Sequence, residues 1–542
     1  HQVHLERFSK PGKVLIGSDS HTVTCGAVGM LALGVGGIDV AVAMGGYPYF
    51  LNYPKVKKVN LIGKLKKWVS AKDIALEVLR VLTTKGNVNY VLEYGGESLQ
   101  YLSIPERATI TNMGAETGVT TSIFPSDEIT RNFFIQQDRL KDWVSLEADI
   151  DAKYDEILTI DVSKLEPLVA LPHSPDNIKK VGDIENLKVD QVLIGSCTNS
   201  SYMDLMKVSQ ILKGRKVNPN ISLGIVPGTR QVLNMISKNG ALSNLILAGA
   251  RIFEPGCGFC IGQGQSPQSH GVSIRTNNRN YLGRSGTVNG LIYLASPETA
   301  AFTALTGVLS SPYNSNLEYS EVELPHEFKI DDSMVIFPTG MGNVYRSQFI
   351  GNPPINPYFP KQLNCEVAIK VGDKITTDDI IPAGSAMDFR NDIEKSTKII
   401  FKNVDEGFPV TCSRIKSEGL YSIILAGESY GQGSSREHAA MCPMAMGVRV
   451  VLAKSIERIH QSNLINFGIL PLTFKDNFDY REIDKGDKLV IKNILNVINN
   501  SEIVMINKTK GKQIQVCNNL TERQVDIILK GGLSNYIKEL KN

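Results

Sequence analysis

Five residues, Val14-Leu-Ile-Gly-Ser18, return letter for letter at Val192-Leu-Ile-Gly-Ser196, 178 positions later. Each copy reads as a short buried strand that ends in a polar turn. The first turn is Asp19-Ser20-His21-Thr22 and the second is Cys197-Thr198-Asn199-Ser200. Open α/β sheets hold ligands at the carboxyl ends of such strands. The repeat therefore predicts related α/β domains that aim polar turns at one cleft.

The second copy offers Cys197 at a strand end. Further along lies Glu254-Pro-Gly-Cys257-Gly-Phe-Cys260-Ile-Gly262, two thiols in a glycine-rich loop whose backbone can come close to a bulky inorganic centre. Three readings compete. Zinc wants four protein ligands, and the sequence has no second Cys or Cys/His pair at short spacing. A redox pair needs only Cys257 and Cys260. Cys197 favours the third reading, because three thiolates without a fourth suit an iron-sulfur cluster with one iron free of protein ligation. Such an iron can bind a substrate oxygen as a Lewis acid. Cys25, Cys365, Cys412, Cys442 and Cys517 lack ligand spacing and read as buried small apolar residues. Eight scattered thiols in 542 residues fit a reducing compartment rather than a disulfide framework.

Charge and hydropathy exclude several classes. A net charge of +3 gives no support to nucleic acid or an acidic membrane as partner, and no apolar run reaches membrane-spanning length. The expected layout is the remainder of an N-terminal α/β domain over 1–55, a second α/β domain over 56–177 and a third, with the cysteines, over 178–310. A Pro/Asn/Ser/Gly-rich linker over 311–364 and a C-terminal α/β domain over 365–542 follow. Within the second domain, Ser70 and Asp73 start a helix that runs to Lys85, and Ser103-Ile-Pro-Glu106 is a capping box opening a helix with Asn112 and Glu116. Strands are expected near 366–371, 422–426, 448–453 and 469–474. A last helix is capped by Thr521 and Gln524 and closed by Gly531.

Three further groups carry chemistry. Gly431-Gln-Gly-Ser434-Ser435-Arg436-Glu-His438 follows a strand and opens an apolar helix. One serine is explained by N-capping; the glycines, both serines and the arginine together suit an anion, either a substrate carboxylate or a Ser434 alkoxide. Asn277-Asn278-Arg279-Asn280-Tyr-Leu-Gly-Arg284 brings two guanidiniums, which match carboxylates, and Arg390 is a weaker candidate of the same kind. Asp19, His21 and Glu116 suit His-carboxylate pairs, with the pairing left open.

In order, Gly17-Ser-Asp-Ser-His-Thr22, Asn112-Met-Gly-Ala-Glu116, Gly195-Ser-Cys-Thr-Asn-Ser200, Cys257-Gly-Phe-Cys260-Ile-Gly262, Asn278-Arg-Asn-Tyr-Leu-Gly-Arg284, Thr377-Asp378 and Gly433-Ser-Ser-Arg-Glu-His438 resemble the aconitate hydratase family over nearly the whole chain. The resemblance implies three related α/β domains around an iron-sulfur cluster, with a linked, swivelling fourth α/β domain. It implies a [4Fe-4S] cluster on Cys197, Cys257 and Cys260 with Asn112 and Asn278 close by, and reversible conversion of citrate to isocitrate through cis-aconitate. By the same carry-over Ser434 is the base for the carbon-bound proton, Asp19 pairs with His1, and Glu116 pairs with His21. Arg279, Arg284, Arg390, Ser435 and Arg436 receive or order carboxylates, and Ser20 and Asp378 support them. A monomer acting on a tricarboxylate in the tricarboxylic acid cycle is implied, in the cytoplasm or the mitochondrial matrix.

Two departures stand out. The family's Asp-His pair and glutamine upstream of the position of His1 precede the first residue, so the expectation is an N-terminally incomplete chain, short of the donor that protonates the leaving hydroxyl. Phe259 stands where the family usually has proline, which implies an altered loop but not a lost cluster. Relatives acting on isopropylmalate or homoaconitate share the cysteine motifs; the fused halves, Pro382-Ala-Gly384 and Arg390 resemble the citrate version. Two alternatives of another class are RNA binding in the cluster-free state, which the near-neutral charge does not support, and a plain redox protein.

Overall fold

Alternation of buried Val59 and Leu61 with the half-buried Lys58, Asn60 and Ile62 makes Lys55–Ile62 a half-buried strand, the hub of a parallel four-stranded sheet. Its order is Thr121–Ile123, Tyr90–Gly95, Lys55–Ile62 and Glu156–Asp161. In the computed structural model the described residues are 1–338, 340, 342, 343, 345–348, 350, 351, 354, 356–382 and 391–540. They form two compact units, His1–Gly34 with Leu51–Gly340 and Val35–Phe50 with Met341–Asn542.

In the first unit, helix Ala71–Leu82 starts at a capping box in which the Asp73 carboxylate accepts from Ser70 N at 2.8 Å. Ile74 and Val78 face the core with Val59, Leu61 and Leu92, each such buried side chain contributing about 1.5–3 kcal/mol. A seven-stranded mixed sheet runs Arg251–Ile252, Ser222–Val226, Gln191–Gly195, Val272–Arg275, Leu291–Ala295, Leu168–Ala170 and Ile178–Lys180. The first five strands are parallel and the last two pairings antiparallel. Gln191–Gly195 is buried throughout, as an apolar run flanked by parallel strands requires.

Both copies of the repeat are parallel strands, but in different sheets. Among the described residues the first, Val14–Gly17, pairs only with Leu31–Gly34, and it is partly exposed. At the end of the second, Gly195 takes φ +115°, and a Cβ there would sit 2.0 Å from Val226 O. Only glycine allows the chain to leave the sheet this sharply and present Cys197.

The second unit is built on a closed barrel, in the order Leu363–Lys370, Tyr421–Ala426, Val448–Ala453, Leu470–Phe474, Lys512–Cys517, Glu502–Asn507 and Lys488–Ile491. Val367, Ile423, Leu425, Val450 and Leu452 fill it. Segment Val35–Phe50, read from sequence as N-terminal, groups with this unit: Ile38 N donates to Glu437 at 2.7 Å and Asn466 Nδ2 to Asp39 at 2.9 Å. Helix His438–Ala445 begins with Glu437 at its N-cap, so neither Ser434 nor Ser435 caps it. Among the described residues no helix is long and apolar enough to cross a membrane. The chain thus has an α/β fold with mixed sheets.

Candidate active site

The turn after Val14–Gly17 places Asp19 at the start of the short helix Ser20–Val28, where its carboxylate accepts from His21 N at 2.8 Å. His1 Nε2 lies 3.1 Å from the same Asp19 oxygen. The His21 ring bridges the two carboxylates, with Nδ1 3.4 Å from that Asp19 oxygen and Nε2 2.9 Å from Glu116 Oε1. Glu116 sits in the turn that follows helix Ile104–Gly114. Its carboxylate also receives Arg279, whose Nη2 donates to Ser20 Oγ at 2.7 Å, and the Tyr281 hydroxyl at 3.4 Å. One continuous network therefore joins His1, Asp19, His21, Glu116, Arg279 and Ser20. Burial opposes ionisation of Glu116, but Arg279 and the His21 hydrogen bond outweigh it and hold the carboxyl below its ordinary range. Asp19 is likewise depressed, against burial, by its hydrogen bonds from His21.

A sulfur centre adjoins this network. Cys197 Sγ accepts from Asn112 Nδ2 at 3.5 Å and from Asn278 Nδ2 at 3.3 Å, while Asn278 also donates to Asn112 Oδ1 at 2.9 Å. Two buried amides aimed at one sulfur suit a thiolate ligand. Burial pushes the Cys197 thiol up. Cys257 is pushed up to about 12, first by burial and then by the charges of Cys197 and Cys260. The charges of Cys197 and Cys260 both act on Cys257, and a metal centre's positive charge would relieve that repulsion. The donor set and its amide neighbours fit an iron-sulfur cluster.

No proline stands between the two thiols of this loop. Gly258–Ile261 forms a single tight turn closed by Gly262 at φ +85°, where a Cβ would meet Ser285 O at 2.4 Å. Phe259 is buried against Leu193, Val226 and Phe253. Its carbonyl accepts from Arg275 Nη1 at 2.9 Å. All eight cysteines are free; Cys25, Cys365, Cys412 and Cys442 are buried and Cys517 is half-buried.

The second unit gathers the remaining candidates. Thr377 opens the short helix Thr377–Ile380, and its Oγ1 lies 3.0 Å from Ser434 Oγ and accepts from Ser434 N at 3.2 Å. Arg436 reaches Asp378 at 3.0 Å and donates to the Ile381 carbonyl. The Ser435 carbonyl accepts from Asn463 at 3.3 Å. Gly431, at φ +83°, leaves room for the buried His460 ring, 2.2 Å from where a Cβ would stand. Arg284 is buried in the first unit, and Arg390 lies outside the described residues.

Sequence reasoning missed two buried cations. Lys72 Nζ donates to Thr276 O at 2.8 Å and Asn277 O at 2.7 Å; burial pulls its ammonium down to about 7. Arg275 is fully buried, which pulls its guanidinium down to about 10. A lysine in a helix's first turn and an arginine at a strand end both read as solvated, and nothing local in the sequence marks them otherwise.

Comparison with known proteins matches residues 1–307 to the aconitase family (aconitate hydratase) and residues 384–477 to the aconitase C-terminal domain. The mitochondrial homocitrate dehydratase of Saccharomyces cerevisiae is 33% identical over 100% of this chain and 78% of its own length. The mitochondrial aconitate hydratase of Gracilaria gracilis is 34% identical over 99% of this chain and 77% of its own. A probable mitochondrial aconitate hydratase of Caenorhabditis elegans is 32% identical over 100% and 78%. With the family match spanning more than half of the sequence, the chain belongs to the aconitase family of hydro-lyases, whose members usually bind an iron-sulfur cluster.

Proposed function

We propose that this chain carries the machinery of an aconitate hydratase, interconverting citrate and isocitrate through cis-aconitate. The observation that supports it best is that consecutive residues serve both halves of the chemistry: Asn278 donates to the Cys197 sulfur and Arg279 locks onto the Glu116-His21 acid-base pair. Cys197, Cys257 and Cys260 would hold a [4Fe-4S] cluster, with Asn112 and Asn278 beside it. When bound, that cluster supplies a Lewis-acidic iron that makes the substrate hydroxyl a better leaving group.

The chain's own residues account for the remaining steps. Ser434 Oγ accepts the carbon-bound proton as the hydroxyl leaves the neighbouring carbon and the double bond forms; Thr377 fixes that oxygen, and Arg436 lowers the cost of charging it. Arg279, Arg284, Arg390, Ser435 and Arg436 bind carboxylates, offsetting three negative charges; Ser20 orients Arg279 and Asp378 orients Arg436. The Asp19-His1 and Glu116-His21 pairs orient the two imidazoles and store a proton for transfer. The functional unit is a monomer, in a reducing compartment, cytoplasm or mitochondrial matrix, that suits free thiols.

One observation favours a second substrate, because the Saccharomyces cerevisiae relative is named for homocitrate. Side-by-side kcat/KM values for citrate, isocitrate, homocitrate and isopropylmalate test this. Citrate and isocitrate are expected to exceed the others; a homocitrate value above both replaces the substrate and leaves the family chemistry in place.

A further inference from the structure

Lys72 and Arg275 are fully buried cations with only neutral partners. Lys72 faces two backbone carbonyls and, at 3.6 Å, Met113 Sδ. Arg275 donates to the Phe259 carbonyl, to Gln191 Oε1 at 3.0 Å and to Ser273 Oγ at 3.0 Å. Neither forms an ion pair with a carboxylate among the described residues. An isolated buried charge is costly, and a guanidinium cannot shed its proton to escape that cost. Among the described residues no acidic side chain acts on Arg275, and Lys72 has Asp73, Asp204 and Glu116 as charged neighbours without a hydrogen bond to any of them, so each cation gains from a further anion nearby.

Their positions identify it. The carbonyl held by Arg275 belongs to Phe259, the residue before Cys260 in the turn that carries two of the thiols. The carbonyls held by Lys72 belong to Thr276 and Asn277, immediately before Asn278, whose amide reaches Cys197. Thr276 Oγ1 in turn accepts from Gly195 N at 2.8 Å, at the strand end that presents Cys197. One cation thus braces each segment that delivers cysteine sulfur.

We propose that Lys72 and Arg275 are the positioning residues and counter-charges of the Cys197, Cys257 and Cys260 centre, balancing its thiolates in place of acidic side chains. Arg275 and the buried Phe259 ring together fix the cysteine turn that has no proline. The inference rests on the cysteine reading given under Proposed function. Net charge and hydrogen bonding around the sulfurs set a cluster's potential, so removing a nearby positive charge disfavours the reduced state.

The test uses the full chain, reconstituted without oxygen with ferrous iron and sulfide, and reads the midpoint potential, the iron content and the rate of iron loss in air. Arg275→Met and Lys72→Met are expected to keep iron close to the wild-type content, to lower the midpoint potential and to lose iron in air several-fold faster. Gln191→Glu sets a carboxylate against Arg275 without removing it, so it cancels the charge with the packing in place, and it carries the test should Arg275→Met fail to fold. A lowered potential in Gln191→Glu supports the proposal. An unchanged potential in a folded, iron-loaded Gln191→Glu protein overturns it while leaving the cysteine assignment intact. A wild-type chain that takes up no iron or sulfide removes the cysteine assignment and the proposal with it.

Discussion

Glu116 and Arg279 meet inside the first unit with Arg279 Nε 2.9 and 3.0 Å from the two carboxylate oxygens, and their side chains are 0% and 2% exposed. Because the same carboxylate faces His21 at 2.9 Å, the arginine fixes the imidazole's partner as well as its own position.

Removing the carboxylate takes the Glu116 ion pair from the buried Arg279. Glu116→Ala is expected to lose about 3–5 kcal/mol of stability, and Glu116→Gln less, because the amide still accepts a hydrogen bond from Arg279. Urea denaturation of the three proteins at pH 7.5 checks this.

The acid limb follows from the depressed Glu116 carboxyl. A carboxyl held lower in the folded state contributes stability that is complete above the unfolded value, about 4.3, and is lost as pH falls toward the folded one. The stability gap between wild type and Glu116→Gln is therefore expected to stay level from pH 8 to about 5 and to close only below about pH 4.3. Denaturation midpoints of both proteins across that range decide it; a gap already closing at pH 6 contradicts it.

Among the described residues Ser434 Oγ has one hydroxyl neighbour, Thr377. Ser434→Ala is expected to lower kcat by about 10²–10⁴ with KM little changed, since a proton acceptor in the transition state is lost while carboxylate contacts remain. Thr377→Val should lower kcat by a smaller factor. Steady-state rates with citrate and isocitrate read both.

Phe259 anchors the cysteine turn through its ring, which is 1% exposed. Phe259→Ala should destabilise the chain by about 3–5 kcal/mol through the cavity left between Leu193, Val226 and Phe253. It should also speed iron loss from the reconstituted protein, as measured by iron content over time in air.

Local signals in the sequence were read where a single element decides the outcome. The Ser70/Asp73 and Ser103/Glu106 boxes start helices where expected, and Val448–Ala453 is a strand at its expected bounds. Long-range closure was invisible: Gly511 marks the turn between Glu502–Asn507 and Lys512–Cys517, but nothing local announces their pairing, with Lys488–Ile491, onto Leu470–Phe474 and Leu363–Lys370 to complete a barrel. The site divides the same way. Cys197, Asn278 and Arg279 stand in motifs, whereas the contact of His21 with Glu116, beside its neighbour Asp19, joins a helix and a turn 95 residues apart. Lys72 and Arg275 escaped because burial of a charge is a property of the packed fold, and their types predict exposure.

Iron and inorganic sulfide per chain, counted after anaerobic reconstitution of the wild type and Cys197→Ser, probe the three-thiol centre most directly. About four of each are expected in the wild type, with marked loss in the variant. A wild-type chain that binds neither, or a variant that binds as much as the wild type, contradicts the assignment of Cys197, Cys257 and Cys260 as the cluster's ligands.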